Sequence, residues 1–185
     1  LLSRVGVPLA RYVQVAGTNG KGSVVQGLEA IALAQGIRTG TFTSPHLVSP
    51  TERVRIDGQP IGEAEFGRRA LELAQRLDIW SEQHPDLAGV TYFEFLLGLA
   101  MGAFGDHGVE LILLEVGMGG RLDATTAAPA ELTCITSIAM DHEAWLGPDL
   151  GAIAGEKAGI LRPGVPLVLG PMPTEAAEVI LARAA

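Results

Sequence analysis

Lys21 stands in Ala-Gly-Thr-Asn-Gly-Lys-Gly-Ser, residues 16 to 23, where three glycines and a serine surround one ammonium group. A short apolar run, Tyr12 to Ala16, leads into it. Val24, Val25, Leu28, Ile31 and Ala32 follow at spacings of three and four, the period of a helix. Strand, glycine-rich turn and helix together make a phosphate cradle. With few Cβ atoms in the way, backbone N–H groups close around phosphate oxygens at the positive end of the helix. Lys21 adds a charge for β- and γ-phosphates, and Ser23 a hydroxyl near a metal. The general P-loop pattern asks for glycine where Val15 stands and serine or threonine where Gly22 stands. A plain glycine-rich strand-to-helix turn is therefore the alternative.

Three more polar side chains follow runs of strand length. Ser44 follows Ile37 to Thr43, Glu115 follows Leu111 to Leu114, and His142 closes Ile-Thr-Ser-Ile-Ala-Met-Asp-His, residues 135 to 142. A glutamate directly after four aliphatic residues is costly in a sealed core, so it needs a partner: a cation, or an arginine such as Arg121. For His142 the alternatives are a metal ligand and a loop histidine bonded to Asp141. Oxygen from Ser44 and Glu115, with one imidazole, suits a hard ion that keeps several waters, hence magnesium. Lys157, in Gly-Glu-Lys-Ala-Gly-Ile near a helix end, reads on composition as a solvated lysine favoured by the helix dipole. No zinc-type cluster and no Gly-x-Ser-x-Gly elbow occur.

The elements that must position these groups read as an α/β domain. Strands are expected over 12–16, 37–43, 132–138 and 165–169 and at the apolar run 111–114. Glu52 to Ile56 leads into Asp57-Gly58 as a small β-hairpin excursion. Helices are expected over 63–77, with Phe66, Ala70, Leu73, Ala74 and Leu77 on one face, and over about 92–104, 150–158 and 174–185. Ser81 to Gly89 reads as a polar connection. Strands separated by helices predict a mostly parallel sheet with its site along the strands' C-terminal edge. The chain has 185 residues, a net charge of −8 and a pI near 4.9, with its basic residues scattered, which argues against nucleic acid as a partner. A polyanion must then be held locally by amides, a lysine and metal ions. Cys134 is the only cysteine, so no internal disulfide forms, as in a reducing cytoplasm. No apolar run suffices to span a bilayer, since Gly89 to Gly105 is interrupted by Glu94. The chain starts at Leu1 and reads as a piece of something longer.

Five motifs occur in a family order: residues 16–23, Thr-Ser-Pro-His-Leu (43–47), Leu-Leu-Glu-Val-Gly-Met-Gly-Gly-Arg-Leu-Asp-Ala-Thr (113–125), 135–142, and Glu-Lys-Ala-Gly-Ile (156–160). In these the chain resembles folylpolyglutamate synthase and bifunctional dihydrofolate synthase, ATP-dependent amide ligases of the Mur type. The serine at position 23, late for a general P-loop, is the family's form. The resemblance implies a P-loop NTPase-like Mur ligase central domain over 1–185, without the family's N-terminal segment and its C-terminal glutamate-ligase domain. It implies that Lys21 and the backbone of Thr18, Asn19, Gly20, Gly22 and Ser23 hold ATP. It further implies that Ser44, Glu115 and His142 ligate magnesium, two ions in all, and that Lys157 is carbamylated and holds the second. Thr91, Tyr92, Phe93 and Glu94, with Leu122, Asp123 and Ala124, match segments that contact the pterin side of a folate. There Phe93 is a stacking surface, its alternative being helix core, and Asp123 an acceptor for ring N–H groups.

The chemistry so implied is amide formation with Lys21, His142 and Lys157 as the catalytic set, on folate or dihydropteroate, L-glutamate and ATP. A pteroate or folate carboxylate attacks the γ-phosphorus, and the amine of glutamate displaces phosphate from the acyl phosphate. A related cell-wall amide ligase and a fragment that only binds ATP are the other readings. A cytoplasmic monomer is the family's form. One departure is Thr126-Ala127-Ala128, where the family has asparagine and an apolar pair after Asp-Ala-Thr.

Overall fold

The first parallel strands carry the pattern that builds the core. Tyr12 and Ala16 face one side of the sheet and Val13 and Val15 the other, as do Ile112 and Leu114 against Leu113. Both faces are covered, which is why these runs are apolar apart from the buried Gln14, whose amide donates to Thr125 and Thr126. The structure, a computed structural model, describes residues 1–184. In chain order it contains α1 (Leu2–Val5), β1 (Arg11–Ala16), α2 (Lys21–Ala34), β2 (Thr39–Phe42), β3 (Val54–Ile56), β4 (Gln59–Pro60) and α3 (Glu63–Gln83). These are followed by α4 (Tyr92–Asp106), β5 (Leu111–Glu115), β6 (Leu132–Ile135), α5 (Glu143–Leu146), α6 (Leu150–Lys157), β7 (Leu167–Leu169) and α7 (Thr174–Ala184). Short 3₁₀ turns lie between some of them. Among the described residues no helix is long and apolar enough to cross a membrane.

The seven strands form one sheet in the order β4-β3-β2-β5-β1-β6-β7. β1 is central, pairing in parallel with β5 (Val15 beside Glu115) and with β6 (Val15 beside Cys134). β2 and β7 extend the parallel set, while β3 and β4 are the antiparallel hairpin expected after residue 52. All parallel strands therefore finish at one edge, where Gly17, Thr43, Glu115 and Thr136 emerge together.

Several expected boundaries move, each for a local reason. α3 continues past Leu77 to Gln83 because Trp80 still packs on the core, and it stops only where Pro85 forces His84 out of helical geometry. The expected connection 81–89 is thus mostly helix end and the 3₁₀ turn Pro85–Gly89. Glu52 and Arg53, expected at the start of a strand, belong instead to the 3₁₀ turn Pro50–Arg53, because Ser49 and Glu52 make a capping box. β2 begins only at Thr39; Arg38 turns aside to pair with Asp57. β6 ends at Ile135, since residues 136–139 bend to support the glycine-rich loop. β7 starts two residues later than expected, and Ala185 lies outside the described residues.

Candidate active site

Residues 17–20 join β1 to α2, whose first turn has no side-chain cap: Gly20, left-handed at φ 84°, precedes it and offers no acceptor. Open N–H groups at a helix start are an anion site. The loop is fixed by the residues that follow β6. Thr18 N donates to Ser137 O at 2.8 Å and Asn19 N to Ser137 Oγ at 3.1 Å, while Thr136 Oγ1 donates to Asn19 O at 2.7 Å. Thr18 Oγ1 also bonds both the carbonyl and the amide of Ala139. The amides of Thr18 and Asn19 are therefore spent on the protein. Gly22 N–H faces Glu115, so the amides left open for a ligand at the helix start are those of Gly20, Lys21 and Ser23. Gly17 is irreplaceable here: at φ 143° a Cβ would stand 1.9 Å from Thr136 Oγ1. Sequence reasoning missed Thr136 and Ser137 because it continued their strand.

Lys21 Nζ folds back onto the carbonyls of Gly17 (3.0 Å) and Thr18 (3.2 Å). Lys157, at the end of α6, is buried at 4% exposure and donates to the same Gly17 carbonyl at 3.1 Å. The solvated-lysine reading is thus overturned: tertiary packing, invisible in a local pattern, closes over this side chain. Burial first, and the neighbouring Lys21 charge second, push its pKa down to about 8, with Asp141 opposing. Lys21, Lys157, Asp141 and His142 line one small recess together with Gly17 and residues 116–119.

Glu115, 5% exposed, accepts from Ser44 N at 3.0 Å. Burial pushes its carboxyl above the usual range, and the amides of Ser44 and Gly22 with the charge of Lys21 oppose that. The alternative partner Arg121 is engaged elsewhere, with Glu156 at 2.9 Å. His142 adopts φ 48°, and its Nε2 stands 3.6 Å from Asp141 Oδ1, too far for a hydrogen bond. Among the described residues no three His, Cys, Asp or Glu side chains converge as a self-sufficient metal site. One buried carboxylate without an ion pair, one hydroxyl and one imidazole beside a phosphate cradle do fit a magnesium ion that takes its other ligands from phosphate and water.

A cavity of about 720 Å³ adjoins the recess, sharing Gly117, Met118, Gly119 and His142 with it. Of the sequence-predicted substrate residues, Thr91, Phe93, Glu94, Leu122, Asp123 and Ala124 line it, along with Ser44 and His142. Tyr92 is not among its lining residues; its ring lies 5.6 Å from the Arg53 guanidinium. Phe93 is half-buried and satisfies both readings: it meets Phe42 edge-on at 5.3 Å and also presents a wall. Its ring comes so close to Gly117 that a Cβ there would lie 2.8 Å away. Thr91 and Glu94 are bonded to each other as the capping box that starts α4, which holds the Glu94 carboxyl below the usual range.

Asp123 accepts from Gly117 N, Met118 N, Thr125 N and Thr125 Oγ1, so any ring N–H it takes shares an oxygen with one of these. Thr126, which replaces the family's asparagine, donates to Gly120 O and accepts from the buried Gln14 side chain, bracing the same loop. Arg53, Trp145 and Glu156 also line the cavity and were not singled out from sequence. Trp145, three residues beyond His142 and 77% exposed, was the legible signal among them.

A mostly parallel sheet whose central strand feeds a glycine-rich loop and an uncapped helix, with two lysines at that loop, defines a P-loop-type α/β domain. The chain matches no protein-family model. It is 42% identical over 182 residues to a dihydrofolate synthase/folylpolyglutamate synthase of Escherichia coli, covering 96% of this chain and 41% of the relative. To the protein of that name from Mycobacterium tuberculosis it is 40% identical over 196 residues, covering 99% and 40%. Its fold superposes with a TM-score of 0.93 on an FPGS–AMPPCP–folate complex, at 35% identity, covering 98% of this chain and 45% of that one. The chain belongs to the folylpolyglutamate synthase/dihydrofolate synthase family. It spans about two fifths of the length of the curated relatives it matches.

Proposed function

We propose that this chain is the ATP-binding portion of a ligase that joins L-glutamate to the carboxylate of a folate or dihydropteroate through an acyl phosphate. The observation that carries this reading is the meeting of Lys21, Lys157 and His142 at one recess adjoining a cavity walled by Phe93 and Trp145. The AMPPCP and folate in the similar complex support it.

In this reading the amides at the start of α2 and the Lys21 ammonium, released from its own loop, take the β- and γ-phosphates. Ser44, Glu115 and His142 are the residues that would hold magnesium, which when bound neutralises charge on the transferring phosphoryl group. Lys157 has an unusually available neutral amine. Addition of that amine to carbon dioxide with loss of a proton gives a carbamate, an anion in place of a cation beside the metal. Phe93 offers a face for the pterin ring. Free carboxylate is a poor electrophile, and its attack on the γ-phosphorus, with ADP departing, supplies the leaving group that glutamate then displaces.

Substrate-dependent phosphate release by the intact protein tests the assignment. Release stimulated by dihydropteroate or tetrahydrofolate in the presence of glutamate is expected. Stimulation by a muramyl peptide alone would place the chain among the cell-wall ligases instead.

A further inference from the structure

Arg53 ends the 3₁₀ turn Pro50–Arg53, and its carbonyl accepts from Thr43 N at 3.0 Å. This pairing sets it beside Ser44, whose N–H reaches Glu115. The turn is firmly built: the Glu52 carboxylate accepts from the amides of Leu47, Val48 and Ser49, which holds its pKa below the usual range. The guanidinium is held from two sides. Its Nε donates to His46 Nδ1 at 2.9 Å, and the Tyr92 ring lies 5.6 Å from its centre. With Nδ1 accepting, the proton of a neutral His46 ring is on Nε2. Among the described residues neither terminal nitrogen of Arg53 has a protein partner, and no carboxylate pairs with it.

Arg53 lines the 720 Å³ cavity, where it is the one arginine or lysine among the described lining residues. The acidic residues of the same wall are committed elsewhere: Glu94 to Thr91, Asp123 to four donors of its own loop, Glu156 to Arg121. In a chain of net charge −8, an arginine with a fixed Nε and two free prongs is built for an external anion. A planar fork matches a carboxylate, and the aromatic and aliphatic wall around it matches an otherwise flat, apolar-faced ligand.

We propose that Arg53 receives the carboxylate of the pteroyl substrate, at the point where Ser44 joins the cavity to the phosphate cradle. The inference rests on the ligase reading above and names the residue that aims its substrate. A carboxylate gripped there is oriented before it attacks phosphorus, so one of its oxygens is presented and the rest of the ligand stays against Phe93 and Trp145.

The test is equilibrium titration of the intact protein with dihydropteroate and with the same molecule carrying a methyl group in place of the carboxylate. Arg53→Gln is expected to weaken dihydropteroate about 10- to 100-fold and to leave the methyl analogue within about 2-fold, with Arg53→Lys in between. Retained binding of the methyl analogue shows that the variant is folded. Equal losses for both ligands, or none for either, overturn the Arg53 assignment and leave the ligase reading standing. Failure of the unsubstituted protein to bind either ligand overturns both.

Discussion

Lys157→Met is expected to raise the stability of the metal-free protein at pH 7 by about 3 kcal/mol and to lower turnover of the intact protein by roughly a thousandfold. The stability gain follows from a buried ammonium whose pKa falls from 10.5 to about 8, each unit being worth about 1.4 kcal/mol. In the unfolded chain Lys157 titrates at its ordinary value, so between about pH 8 and 10.5 the unfolded state binds more protons than the folded one. Stability of the unsubstituted protein therefore rises with pH across that window, and the burial cost is fully present below it. Methionine fills similar space without a charge, and the Gly17 carbonyl keeps Lys21 as a donor. Denaturant midpoints at pH 7 and pH 10.5 check this: the variant's advantage should shrink to near zero at the higher pH. A variant less stable at pH 7, or an advantage independent of pH, contradicts the burial argument.

The same depressed pKa leaves about one tenth of Lys157 as neutral amine at pH 7, far more than an ordinary lysine, which is what carbamate formation requires. Turnover of the intact Lys157→Met or Lys157→Ala protein should fall by roughly a thousandfold, in line with the loss of a major electrostatic group. For Lys157→Ala a short carboxylic acid standing in for the carbamate should return part of it. Full activity without rescue would sink the carbamate reading.

Lys21→Ala should also lower turnover by roughly a thousandfold, but with little change in stability. Position 21 opens α2, alanine is a good helix former, and the loop beneath stays tied to Thr136 and Ser137. What is lost is the ammonium that rests on the loop carbonyls until a phosphate draws it away. Steady-state kinetics beside a thermal melt separate these effects. Unchanged turnover would mean that residues 17–23 are not the cradle, and a large fall in melting temperature would mean that Lys21 is mainly structural.

The glycine-rich loop between β1 and α2 was legible because it is local: an apolar run, glycines and a helical period all fall within 21 residues of each other. Glu115 was legible for a related reason, since a carboxylate ending an aliphatic strand must meet something. What sequence did not carry was contact between distant segments. Residues 136–138 look like strand, and only the approach of the glycine-rich loop turns them into its floor. Lys157 looks solvated until α6 packs its end against Gly17, 140 residues earlier. Arg53 reads as one more strand residue until Thr43 pairs with it and the cavity forms alongside. The capping box at Thr91 and Glu94 is local as well, and the two residues that start the helix also line the cavity.

The most direct measurement uses dihydropteroate carrying oxygen-18 in its carboxylate, turned over by the intact protein with ATP and glutamate, followed by mass analysis of the released phosphate. One labelled oxygen is expected in each phosphate, because the carboxylate oxygen that attacks the γ-phosphorus leaves with it when the amide forms. Phosphate released without label would contradict the acyl-phosphate route and with it the central reading of this site.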